Sequence, residues 1–139
     1  MHKIARMSDY APVIVNLIET TNKIGGKLQK YFTPLKKALA DKDLSKIDLD
    51  QTKKVFQSGT NEYKKLSQKL QKAHAPVKVI GPSMSLQTAY ARYVKSCQDM
   101  TDSLDSDNQK VDVKKFNQSE KDQDKNVNEV VSWIHRIMA

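Results

Sequence analysis

Four side chains, Tyr63, Tyr93, Glu120 and Gln123, stand out by type as residues that could do chemistry together. Each falls near the middle of a stretch whose apolar residues recur at intervals of three and four, the spacing of one helix face. Glu120 and Gln123 interrupt such a stripe where Phe116 and Val127 flank it, so the helix middle turns polar where its ends are apolar. A carboxylate drawn inside must be paired, hydrogen-bonded or protonated, because burying its charge alone is prohibitive. Tyr63, Tyr90 or Tyr93 could donate to it. The functional form of this layer is a small polar and aromatic cavity, with Gly25-Gly26 and Gly59 leaving room for a ligand. Its structural form is a satisfied polar layer that fixes helix register. A different helix rotation would simply place Glu120 in water. All three remain open at this level.

Other chemistry has less material. Cys97 is the only cysteine, so no internal disulfide is possible, and its place on an apolar stripe makes it a small buried thiol. The three histidines, His2, His74 and His135, lie near chain or helix ends without metal-ligand spacing, and no Glu-x-x-His element exists. No G-x-S-x-G, G-x-x-x-x-G-K-[ST] or G-x-G-x-x-G occurs, and four glycines leave little for phosphate-cradling loops. The sequence therefore predicts no catalytic residues, no metal and no cofactor. Asn117-Gln118-Ser119 fits a glycosylation pattern but falls inside an expected helix.

The charge pattern offers a surface instead. The chain carries 24 basic and 16 acidic residues, a net charge of +8. Residues 1–82 hold 16 basic and 7 acidic side chains, whereas residues 83–139 hold 8 and 9. Of the basic residues 21 are lysines and three are arginines, Arg6, Arg92 and Arg136. Lysine is a hydrated point charge, while arginine reads guanine edges and phosphates with a planar fork, so sequence-specific nucleic-acid binding is disfavoured. Lys53, Lys54, Lys64, Lys65, Lys69 and Lys72 share the polar face of one helix and form the candidate contact face for an acidic polymer or protein partner. The segment Lys27 to Lys37, KLQKYFTPLKK, mixes lysines with Tyr31 and Phe32, but its rings fall on the core stripe, as in an ordinary solvated helix.

These residues need four helices to position them. At 139 residues the chain suits one domain, expected over 9–139 after a flexible leader at 1–8. Two-residue alternation is nearly absent, so the class is all-α. Ile14, Leu17, Ile18, Thr21, Ile24, Leu28, Tyr31, Phe32, Leu35 and Leu39 give the first stripe, with Pro12 in its first turn and a kink expected near Thr33 because Pro34 lacks an amide donor. After a polar connector capped at Asp48 or Asp50, Gln51 to His74 gives the second. Ala75 to Pro82 breaks the pattern, and its Val77, Val79 and Ile80 are expected to pack across a bundle end. A third helix starts at Ser83 or Ser85 and places Leu86, Ala89, Tyr90, Tyr93, Val94, Cys97, Met100 and Leu104 on one side. A polar turn over Ser103–Lys110 leads to a fourth helix, capped by Asp112, with Val113, Phe116, Val127, Val130, Val131, Ile134, Ile137 and Met138 inward and Trp133 at the edge. Short connections favour an antiparallel up-down-up-down bundle. No stretch is apolar enough to cross a bilayer. The apolar run after Met7 is broken by Asp9, Pro12 and Asn16 and has no cleavage site, so it does not read as a signal peptide.

The strings AYARYVKS (Ala89–Ser96) and FNQSEKDQDKNVNEVVSWI (Phe116–Ile134) resemble the second half of small uncharacterised helical proteins of lactobacilli and related Gram-positive bacteria, often exported or lipid-anchored. The resemblance covers about the last 55 residues and rests on helical texture. It implies a bacterial, extracytoplasmic bundle without assigned activity and supplies no functional residues. The expectation is a non-enzymatic interaction module at the bacterial cell envelope. The competing expectations are a small-ligand carrier built on the central layer and a protein of the bacteriocin-immunity size and charge class.

Overall fold

The computed structural model describes residues 5–139. Four long helices dominate: α1 (Met7–Ala40), α2 (Leu49–Lys72), α3 (Ile80–Asp102) and α4 (Val113–Met138). A single 3-10 turn, Val77–Val79, leads into α3. Between α3 and α4 the expected polar turn is a small antiparallel hairpin, β1 (Leu104–Asp105) and β2 (Lys110–Val111), with Leu104 opposite Val111. Two-residue strands are too short to leave an alternating pattern in sequence.

Helix ends follow local chemistry. Asp48 and Asp112 cap α2 and α4 by accepting from the amides of Gln51 and Lys115. The start of α3 differs from the sequence expectation: it begins at Ile80, three residues before Ser83, and takes Pro82 into its first turn. Amides there have no intrahelical acceptor, so proline costs the helix no bond. Met7 and Ser8, assigned from sequence to the leader, form the first turn of α1, and Met7 packs on the core. Residues 1–4 of that leader lie outside the described residues.

At the end of α1, Lys42 adopts a left-handed φ of 56°. Its amide bonds to Leu39 O, and the amide of Asp43 bonds to Ala38 O. This is the Schellman arrangement, here with lysine where glycine is usual. Gln109, the other left-handed residue, sits in the hairpin and donates from Nε2 to Leu44 O and Ile47 O, tying the hairpin to the α1–α2 connector.

The core has two parts. One gathers Tyr10, Ile14, Leu17 and Ile24 of α1 with Tyr63, Leu66 and Leu70 of α2, Leu86, Tyr90 and Cys97 of α3, and Val130, Ile134 and Ile137 of α4. The other gathers Leu35, Leu49, Phe56, Met100, Leu104 and Phe116. Gly59 lets α1 and α2 approach, since a Cβ there would lie 2.7 Å from Leu28 Cδ2. The stripe read for α4 needs correction. Val113, Val131 and Met138 are exposed, while Ser119 and Asn126 are buried. Residue type alone favoured the valines, but packing against α3 sets the rotation. The segment before α3 is also less packed than expected: Val79 is buried, but Val77 is 87% exposed and Ile80 is exposed as well, as is Ile18 of the α1 stripe, while Leu104, expected on α3, is buried in β1.

Candidate functional site

The four residues singled out for a central layer line one cleft of about 210 Å³ between all four helices. Gly25, Leu28 and Phe32 of α1, Phe56, Thr60 and Tyr63 of α2, Tyr93, Cys97, Met100 and Thr101 of α3, and Glu120, Gln123 and Asp124 of α4 form its walls. A buried cavity of about 150 Å³ accommodates benzene, so the space suits a single small ring with a few further atoms.

The aromatic wall is built from the tyrosines. Tyr63 and Tyr93 meet edge to face with centroids 5.3 Å apart, and Tyr90 leans on Tyr93 at 6.1 Å. The Tyr90 hydroxyl and Thr21 Oγ1 are 2.8 Å apart and share a hydrogen bond. Burial pushes the Tyr63 phenol up to about 12 and raises the Tyr90 and Tyr93 phenols further. Burial also pushes the Cys97 thiol up to about 12, against a lowering hydrogen bond from Tyr93, so the sulfur stays protonated near neutral pH.

Glu120 is not held by a tyrosine. Its partner is Lys36 of α1, whose ammonium donates to both carboxylate oxygens at the cleft edge. The Glu120 side chain keeps 25% of its exposure and that of Lys36 keeps 50%, so a long cation reaches the carboxylate without being buried. Gln123 is half-buried, and its Nε2 lies 3.4 Å from Ser96 O and 3.5 Å from Met100 Sδ. Thr60 and Thr101 spend their hydroxyls on Phe56 O and Cys97 O one turn back.

The lysines of α2 divide into two sets. Lys53 and Lys64 lie on the flank toward α3, where Lys53 donates to Leu104 O at 2.7 Å and Lys64 to Gln98 Oε1 at 3.0 Å. These two serve helix packing as well as charge. Lys54, Lys65, Lys69 and Lys72 are exposed, and Lys54 pairs with Asp50 one turn away at 3.0 Å. Among the described residues, Lys65, Lys69 and Lys72 have no carboxylate within salt-bridge distance.

One sequence signal escapes a residue-by-residue reading. From Tyr63 to Gln98 there is no aspartate or glutamate, yet the stretch holds Lys64, Lys65, Lys69, Lys72, Lys78, Arg92 and Lys95. It covers the last turns of α2, the 3-10 turn and most of α3. Counting charge by halves of the chain hides it.

Among the described residues, no cluster of three or more His, Cys, Asp or Glu side chains is placed to hold a metal ion. His74 and His135 are both exposed, and His2 lies outside the described residues. No helix is long and apolar enough to cross a membrane. No family model, no curated protein and no solved structure matches this chain.

Proposed function

We propose that this chain is a non-enzymatic helical-bundle interaction module of the bacterial cell envelope that holds an acidic polymer or acidic protein partner against its basic face. The observation that carries this reading is the acid-free stretch Tyr63–Gln98 with its seven cations, of which the four on α2, Lys64, Lys65, Lys69 and Lys72, have no carboxylate partner among the described residues. Unneutralised charges on one rigid surface sum into a field that reaches about a Debye length, roughly 8 Å at physiological salt. The envelope placement rests on the resemblance of the second half to exported proteins of lactobacilli and related bacteria.

In this reading the bundle runs up-down-up-down with a bend in α1 near Thr33. The grouping of the core supports that order, because the first half of α1 packs with the second half of α2, the first half of α3 and the second half of α4. Pro34, which cannot donate to Lys30 O, supports the bend. The test is a titration with linear polyphosphate at low and high salt, followed by light scattering or calorimetry. Saturable binding that weakens steeply with salt is expected. Absence of binding at low salt would remove the reading.

A second reading has its own support. The convergence of Tyr63, Tyr93, Glu120 and Gln123 on one cleft favours a small-ligand site at mid-bundle. Titration with phenol, followed by NMR of the tyrosine rings, is expected to shift Tyr63 and Tyr93 with a common saturating curve. Unchanged spectra at high millimolar phenol would leave the layer as a register device.

A further inference from the structure

We propose that the end of the bundle where the 3-10 turn enters α3 docks on an anionic lipid surface, with Val77, Ile80 and Met84 entering the headgroup region. This inference rests on the basic-face reading and names its partner. Val77, Ile80 and Met84 are 87%, 44% and 63% exposed, although each is a large apolar side chain. Ile80 and Met84, four residues apart, share one face of the first turns of α3, and Val77 stands in the 3-10 turn that leads into them. Soluble surfaces carry exposed apolar residues singly, whereas a row of three at one corner marks a contact.

What surrounds the row decides the partner. Lys78 sits within it, the last turn of α2 brings Lys69 and Lys72, and α4 brings Arg136. Met84 lines a groove with Trp133, Arg92 and Glu129, and Arg136 covers the Trp133 ring with its guanidinium carbon 4.6 Å from the ring centroid. Near this end Asp9 on α1 and Glu129 on α4 are acidic, against Lys69 and Lys72 on α2, Lys78 in the 3-10 turn and Arg136 on α4. Separate protruding apolar side chains among cations, with a tryptophan beside them, suit the boundary between acyl chains and anionic headgroups.

The experiment is co-sedimentation of the full chain with vesicles of phosphatidylglycerol and phosphatidylcholine, with pure phosphatidylcholine vesicles and linear polyphosphate in parallel. The expected result is binding to the anionic vesicles, none to the neutral ones, and a blue shift of Trp133 emission on binding. The double variant Val77→Ser, Met84→Ser removes only exposed side chains. It is expected to lose vesicle affinity at least ten-fold while binding polyphosphate as before. Lys78→Gln is expected to weaken vesicle binding by about five-fold and Lys78→Glu by more, since each cation near an anionic surface contributes about a factor of five.

Polyphosphate binding without vesicle binding would overturn the lipid inference and leave the basic-face reading standing, whereas binding to neither would remove both. Vesicle binding unchanged in the double variant would also overturn the inference, as would a concentration-dependent dimer that the variant abolishes, which would assign the row to a second copy of the chain.

Discussion

Lys36 and Glu120, 84 positions apart, join α1 to α4 through an ammonium that donates to both oxygens of one carboxylate. The pair lies beside the stacked rings of half-buried Phe32 and buried Phe116, whose centroids are 5.9 Å apart. The aromatic contact holds the two backbones in place, and the ion pair then forms at small entropic cost.

Because both charges keep solvent contact, their coupling is expected to be modest. A double-mutant cycle with Lys36→Met and Glu120→Gln, read by urea denaturation, should give a coupling of at most about 1 kcal/mol that shrinks with added salt. A coupling of several kcal/mol, insensitive to salt, would mean that Glu120 is far more buried than its geometry allows.

The two helical glycines near the cleft should respond oppositely to alanine. A Cβ at Gly59 would press on Leu28, so Gly59→Ala is expected to destabilise by about 1–2 kcal/mol, overpacking outweighing the better helix propensity. At Gly25 the nearest atom to a new Cβ is the Tyr63 hydroxyl at 3.7 Å, an ordinary contact. Gly25→Ala should therefore stabilise by up to about 1 kcal/mol. Denaturant melts of the two variants check the sign of each.

Lys42 carries a left-handed backbone at the close of α1. Glycine there would keep both Schellman hydrogen bonds and relieve the Cβ clash. Lys42→Gly is expected to raise stability by about 1 kcal/mol, measurable as a higher denaturation midpoint with an unchanged slope. A loss of stability would show that the lysine side chain contributes more than its conformation costs.

The buried acids set the alkaline limit. Cys97, Tyr63, Tyr90 and Tyr93 are all raised by burial, from ordinary values of 9.0 for the thiol and 10.0 for the phenols. Above those ordinary values the unfolded chain gives up protons that the folded chain still holds. Stability is thus fully present below pH 9 and falls as pH rises, first through the thiol and then through the phenols, at about 1.4 kcal/mol per pH unit for each proton. Urea midpoints between pH 7 and 11 test this, and Cys97→Ala should delay the onset from pH 9 to about pH 10.

Much of this was legible before the fold was seen. On the α2 stripe Thr52, Phe56, Gly59, Tyr63, Leu66 and Leu70 are buried as spaced and Val55 and Ala73 are half-buried, and the Asp112 cap declares itself by type, whereas type left Asp48 and Asp50 as equal candidates for the α2 cap. That Tyr63, Tyr93, Glu120 and Gln123 line one cleft follows from their places near mid-helix in neighbouring helices. What stayed hidden depends on tertiary choices. Asn126 rather than Val131 faces inward on α4 because α3 selects the rotation. Lys36 finds Glu120 only once α1 and α4 are adjacent, and Gln109 finds Leu44 and Ile47 only across the bundle end. The exposure of Val77 could not be read from its type, which pointed inward.

The central claim is that uncompensated cations on one face, rather than net charge in general, hold an acidic partner. The most direct measurement compares polyphosphate affinity across a salt series for the native chain, for Lys65→Glu/Lys69→Glu/Lys72→Glu, and for a control that reverses Lys114, Lys121 and Lys125 on α4. The expected result is a steep salt dependence that the α2 variant loses together with at least ten-fold in affinity, while the control keeps both. Equal losses in the two variants, or an affinity indifferent to salt, would contradict it.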